Sequence, residues 1–148
     1  MKSELRSDFA FFESLRVRYA EVDAQGIVFN AHYLTYCDVA ITEYFRARTG
    51  KSYESMVAAH GIDFHVTQSL LNYRAPARFD DLLDIGVRGS YRGARIFWDL
   101  AMFRGEDLLC SGQLAYVTVD ATGGGVRRLP AALADSLGLV AAAQRESE

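Results

Sequence analysis

Asp23 stands three residues ahead of Gly26 and seven ahead of Asn30, in the run Arg18-Tyr19-Ala20-Glu21-Val22-Asp23-Ala24-Gln25-Gly26-Ile27-Val28-Phe29-Asn30-Ala31-His32-Tyr33. A carboxylate just before the amino end of a buried helix is a chemical arrangement. It can attack a carbonyl carbon directly or draw a proton from an attacking water. The first turn of a helix has unpaired N–H groups and the positive end of the helix dipole, which suit an oxyanion. The helix starts near Asn30, and Gly26 lets the loop bend close to a ligand without a side chain in the way. Structural roles compete with the chemical ones. Asp23 can cap a turn and Asn30 can cap the helix on local hydrogen-bonding grounds. Glu21 reads as a solvated strand end and His32 as a polar first-turn residue that could also line a pocket.

The elements that position these residues follow from periodicity. Tyr33, Tyr36, Cys37, Ala40, Ile41, Tyr44 and Phe45 fall on one helical face, Leu34 and Val39 widen the stripe, and Gly50 is a natural stop. This predicts a long central helix with much of its circumference covered. Residues 1–13 read as a peripheral lead-in whose Phe9, Phe11 and Phe12 dock on something, a neighbouring subunit being one choice. Leu15, Val17 and Tyr19 alternate as a first strand. Ser52 to His60 predicts a short helix broken by Gly61. Phe64 to Ala75 predicts a strand with a phase slip near Gln68, read as a bulge. Leu83 to Val87, Ile96 to Phe103 and Leu108 to Val119 predict three more strands, joined by turns at Arg92–Arg95 and Arg104–Asp107, with Ile96 to Phe103 in the middle of the sheet. Leu133 to Val140 reads as a terminal helix, and residues 139–148 as a peripheral tail. Only the first connection is long enough for a crossover, so the fold class is α+β: an antiparallel sheet of about five strands wrapped around one helix.

At 148 residues, half of them hydrophobic, the chain suffices for one core, and residues 1–148 read as a single domain. A net charge of -3 gives no electrostatic case for nucleic acid. No apolar run is long enough for a membrane span and the start is interrupted by charge throughout, so the expected location is the cytoplasm. Cys37 and Cys110 lie far apart without a CxxC or Cys/His cluster, which predicts buried free thiols, with no metal and no cofactor. No G-x-S-x-G elbow, phosphate-binding loop, dinucleotide fingerprint or HExxH motif is present. A sheet this small leaves edges and an outer face open, which predicts a homodimer or homotetramer.

Arg18-Tyr19, Asp23 to Phe29, Asn30 to Leu34 and Gly50 together resemble the pattern R-(Y/F)-x-x-x-D-x-x-G-(V/I)-V-(Y/F)-(H/x)-x-x-Y of the hot-dog-fold acyl-CoA thioesterases of the 4-hydroxybenzoyl-CoA thioesterase type. The element order is similar over roughly residues 13 to 135, on the scale of one domain. The resemblance implies the hot-dog fold and hydrolysis of an acyl-CoA thioester to free acid and coenzyme A. Asp23 would be the catalytic carboxylate, as nucleophile or general base, and the Asn30 or Ala31 N–H would polarise the carbonyl. Asn30 stands where many members have histidine or tyrosine. Hot-dog hydratases place a histidine five residues after the aspartate, where this chain has Val28. Coenzyme A phosphates call for arginine, and Arg88, Arg92, Arg95, Arg127 and Arg128 sit at strand ends or turns. His32 and Tyr33 would line the acyl site. The alternative is a non-catalytic acyl-CoA-binding module that kept the fold and lost the chemistry.

Overall fold

Glycine and a few side-chain caps mark where each element stops. The computed structural model describes residues 4–142. Strand β1 (Phe11–Arg16) is followed by a 3-10 turn at Tyr19–Glu21, then helix α1 (His32–Thr49) and helix α2 (Tyr53–His60). Four strands come next, β2 (Ile62–Tyr73), β3 (Leu82–Arg92), β4 (Arg95–Arg104) and β5 (Asp107–Asp120). A short helix α3 (Ala131–Ser136) and a two-residue strand β6 (Val140–Ala141) end the described chain. Gly50 closes α1 at φ 69° with its N–H donating to the Arg46 carbonyl at 2.8 Å. Ser52 caps α2 by accepting from the Ser55 N–H, and Gly61 ends it in the left-handed conformation.

The strands lie in the order β1-β3-β4-β5-β2, with the long helix packed against this antiparallel sheet. β1 and β3 run antiparallel from Phe11 opposite Val87 to Arg16 opposite Leu82. β6 pairs in parallel with the far end of β3, Ser90 opposite Val140. β4 sits mid-sheet, as its sequence predicts, and most of its residues are buried. Contacts divide the chain into two compact units, one formed by Met1–Tyr44, Leu70–Arg88 and Asp99–Gln113, the other by Phe45–Ser69, Gly89–Trp98 and Leu114–Glu148. Both draw on α1 and on the long strands.

Within the first unit the inner face of α1 matches its periodicity: Tyr33, Tyr36, Cys37, Ala40, Ile41 and Tyr44 are all buried. Leu34 and Val39, read as widening the buried stripe, are instead exposed at 39% and 40%. The lead-in also differs from its reading. Phe11 and Phe12 belong to β1, and Phe9 is buried with Ala101 and Phe103 in this chain's own core. Phe11 meets Tyr44 edge-on at 5.3 Å. The first strand is thus shifted toward the amino terminus, and Tyr19 stands exposed on the 3-10 turn because the Glu21 side chain folds back to the Arg18 N–H.

In the second unit Phe45 stacks on Phe64 at 5.6 Å and meets Trp98 edge-on. β2 runs unbroken through Gln68, and it lies at the end of the strand order with Val66 55% exposed. The terminal helix is shorter than its reading, since Gly138 takes φ 64° and turns the chain out into β6. The tail therefore pairs with the sheet at residues 140–141, and residues 143–148 lie outside the described residues. Among the described residues no helix is long and apolar enough to cross a membrane.

Gly86 on β3 shows how tightly the first unit is filled. A Cβ there would stand 2.5 Å from the Phe9 ring, so glycine is what lets the ring lie on the strand. Gly86→Ala is expected to lower stability by about 1–3 kcal/mol through overpacking. Phe9→Ala removes the obstacle, so in a Phe9→Ala background the same alanine should add little further loss. Urea unfolding of the two single variants and the double variant checks this, and strictly additive losses would contradict the contact.

Candidate functional site

The loop carrying Asp23 is a small hairpin. Val22 and Val28 form an antiparallel bridge, the Asp23 N–H donates to the Ile27 carbonyl at 2.9 Å, and the Gly26 N–H donates to the Asp23 carbonyl at 2.9 Å. Gly26 takes φ 76°, the left-handed position that closes a three-residue hairpin loop and that glycine enters without strain. The Asp23 carboxylate accepts the Gln25 N–H through Oδ1 at 2.8 Å. The turn-capping role is therefore real, but it uses one carboxylate oxygen. Oδ2 takes no hydrogen bond among the described residues.

The hairpin is held from two sides. Toward the strands, the Val28 N–H donates to the Ala77 carbonyl at 2.8 Å, and Ile27 bridges Arg78. Toward the helix, the holder is Glu21. The residue is 5% exposed, not the solvated strand end its position in the sequence suggested. Glu21 Oε1 accepts the Arg18 N–H at 2.8 Å and the Tyr36 hydroxyl at 3.0 Å, and Oε2 accepts the Arg18 guanidinium at 3.0 Å. The Glu21 carbonyl accepts the Phe29 N–H at 3.0 Å. Burial opposes ionisation of Glu21, yet the bonds from the Arg18 backbone, the Arg18 guanidinium and Tyr36 outweigh it and hold the carboxyl below its ordinary range. Burial, followed by the bond to Glu21, pushes the Tyr36 phenol far up.

Helix α1 starts at His32. The His32 N–H donates to the Phe29 carbonyl at 2.9 Å and the Tyr33 N–H to the Asn30 carbonyl at 3.3 Å. Among the described residues, the N–H groups of Asn30 and Ala31 have no acceptor. The Asn30 side chain likewise makes no capping bond to the helix. Its carbonyl also receives the Tyr73 hydroxyl at 3.3 Å. Tyr33 is buried, accepts the Ala77 N–H on its hydroxyl oxygen at 3.2 Å and meets Tyr73 edge-on at 5.2 Å. Burial pushes the Tyr33 phenol up and keeps it neutral.

Asp23, Asn30 and Tyr33 line one cavity of about 620 Å³, within the size range of small-ligand sites. Its wall is completed by Gln25, Ile27, Val28, Phe29 and the segment Tyr73-Arg74-Ala75-Pro76. Every one of these residues belongs to the first unit. His32 is not among them and packs against Phe29. Arg88 is not among them either. Its guanidinium bonds Glu4 at 3.2 Å, Asp99 at 3.4 Å and the Asp8 carbonyl, and lies over the Phe9 ring. Arg92 and Arg95 flank the β3–β4 turn in the second unit, and Arg127 reaches the Gly61 carbonyl and Asp120. Tyr73 and Arg74 escaped the sequence reading because they sit where β2 ends, in a run read only for strand alternation. The following Pro76 was the available signal, since it stops the ladder and frees the preceding side chains for a cavity wall. Among the described residues no His, Cys, Asp and Glu side chains group as a metal site.

Residues 25–111 match the thioesterase superfamily, a span that begins two residues past Asp23 and takes in more than half of the chain. The chain belongs to that superfamily, a thioester hydrolase by homology with the hot-dog fold. It is 32% identical to an Escherichia coli O6:H1 protein described as acyl-CoA thioester hydrolase YbgC, over 72% of this chain and 79% of that one. It is 29% identical to acyl-CoA thioesterase YbgC of Haemophilus influenzae, over 76% and 83%. A solved probable thioesterase from Bartonella henselae superposes with a TM-score of 0.75 at 30% identity, covering 81% of this chain and 98% of that one.

Glu21 and Tyr36 should act as a unit. Tyr36→Phe is expected to cost about 0.5–1.5 kcal/mol and Glu21→Gln more, with a coupling of at least about 0.5 kcal/mol in the double variant. Because the folded carboxyl is held below its unfolded value, its contribution is complete above the unfolded carboxylate range and is lost as pH falls through the folded value. Denaturant melts across acid pH should therefore show a shallower loss for Glu21→Gln than for the parent.

Proposed function

We propose that the protein hydrolyses acyl-CoA thioesters to the free acid and coenzyme A, with Asp23 as the catalytic carboxylate. The observation that carries this reading is one cavity lined by a carboxylate with an unengaged oxygen and by Asn30, whose N–H lacks an acceptor. The printed activities of the 32% and 29% identical relatives supply the substrate class.

In the nucleophilic role, Oδ2 attacks the thioester carbonyl, the C–S bond breaks and the thiolate leaves to take a proton. Water then hydrolyses the acyl-carboxylate anhydride. In the general-base role, Asp23 takes the proton of the attacking water and the tetrahedral oxyanion collapses to expel the thiolate. Both routes build negative charge on the carbonyl oxygen, and the Asn30 and Ala31 N–H groups at the start of α1 are the donors suited to it. Gly26 keeps the loop tip free of a side chain. Tyr33 forms the inner wall beside the acyl group. Arg88 spends its donors inside the chain, which takes it out of the arginines offered to the coenzyme's phosphates.

Asp23→Asn tests the assignment. It keeps side-chain size and the Oδ1 acceptor for Gln25, yet removes both nucleophile and base. Turnover of acyl-CoA should fall on the order of a hundred- to ten-thousand-fold, with the melting temperature near that of the parent. Parental turnover with an earlier melt would make Asp23 a turn cap only. Tight acyl-CoA binding by a parent without any turnover would establish the binding-module reading instead.

The assembly reading is a homodimer or homotetramer. Leu34 and Val39 on α1, and Val66 and Leu70 on β2, are exposed apolar side chains on a helix side and an end strand. Light scattering should return a mass at least twice the 16.5 kDa of one chain, and Leu70→Lys should lower it. A 16.5 kDa particle at micromolar concentration would refute the assembly.

A further inference from the structure

Two charged side chains line the cavity, Asp23 and Arg74. Arg74 follows directly on β2, and its backbone is fixed, since the N–H groups of Arg74 and Ala75 both donate to the Leu109 carbonyl at 2.8 and 3.1 Å. Its guanidinium has no hydrogen bond or ion pair with any described residue. By contrast, Arg6, Arg88 and Arg104 each hold a carboxylate of this chain. An arginine fork without a partner, on the wall of a cavity, is a recognition element for a planar anion of the ligand.

We infer that Arg74 selects acyl groups that carry a second carboxylate at their far end, so that the preferred substrates are ω-carboxyacyl thioesters of short chain length. The inference rests on the thioesterase reading given above. Arg74 shares a cavity of about 620 Å³ with Asp23, so the anion it meets belongs to a part of the ligand near the thioester carbonyl. The coenzyme's pyrophosphate lies at the opposite end of the pantetheine arm from the sulfur. Ile27, Phe29, Tyr33, Tyr73 and Pro76 supply an apolar wall suited to the methylenes between the two ends of a dicarboxylic monothioester. A free carboxylate close to Asp23 would be repelled, and Arg74 gives that charge a place of its own.

Adipyl-CoA and hexanoyl-CoA, matched in carbon number, are the probes, together with the same two acyl groups on pantetheine. The parent should favour the adipyl ester in both series. Arg74→Gln should lower kcat/KM for the adipyl esters by about tenfold to a hundredfold, mostly through KM, and leave the hexanoyl esters within about twofold. Arg74→Lys should recover part of the loss, since it keeps the charge and loses the fork. Equal damage to both CoA esters with neither pantetheine ester affected would assign the guanidinium to the coenzyme's phosphates and overturn the inference. So would a parent that hydrolyses both adipyl and hexanoyl esters at one rate, which would leave Arg74 a solvated charge. If the parent hydrolyses none of the four, the thioesterase reading fails and calorimetric titration of the same ligands decides: tighter adipyl binding that Arg74→Gln abolishes supports the inference, and equal affinities overturn it.

Discussion

A carboxylate taken out of water must have its oxygens filled, and in this chain Glu21 sets that requirement. Its three hydrogen bonds can form only if the backbone tightens into a 3-10 turn at Tyr19–Glu21, which brings the Arg18 N–H over the side chain, and only if α1 presents Tyr36 to the same oxygen. An unsatisfied carboxylate at this depth would cost several kcal/mol, more than any single apolar contact nearby returns. The turn, the hairpin that follows it and the rotation of α1 about its axis are consequently fixed together. Arg18 is largely exposed and its guanidinium is screened by solvent, so the backbone N–H and the Tyr36 hydroxyl matter more than the ion pair.

From that anchor the cavity follows with little freedom. The hairpin hands Asp23 one internal partner, the Gln25 N–H, and leaves its second oxygen open. The segment after β2 is tied to the same hairpin through Val28 to Ala77, and to α1 through the Tyr33 hydroxyl. Tyr73 then closes the wall by donating to the Asn30 carbonyl, which engages the acceptor side of that residue and leaves its N–H side alone. Donor and carboxylate thus stand on one cavity because three separate stretches of sequence are hydrogen-bonded to each other, not because any one of them is rigid.

Much of this was readable from the sequence, where the readable part is local. The seven-residue apolar stripe of α1, the mid-sheet place of β4 and the α+β element order follow from side-chain period, which the backbone geometry dictates directly. Gly26 and Gly50 were legible because few other residues take their conformations without strain. The rest depends on partners distant in sequence. Glu21 looked like a surface residue until Tyr36 supplied the acceptor's need, fifteen residues on. Phe9 looked like a loose end until Gly86 left room for its ring. Arg74 carried no signal of its own, because an arginine at a strand end is ordinary and only its place on the cavity wall with Asp23, visible in three dimensions, sets it apart.

Cys37 in α1 and Cys110 in β5 are both fully buried, and burial pushes the Cys37 thiol far up and the Cys110 thiol to about 12. At neutral pH neither is a thiolate, and neither meets an alkylating reagent while the fold is closed. Each becomes reactive only in molecules that have transiently opened. The chain therefore carries one native reporter in its helix and one in its sheet, and their relative labelling rates would show whether the two layers come apart together or one before the other.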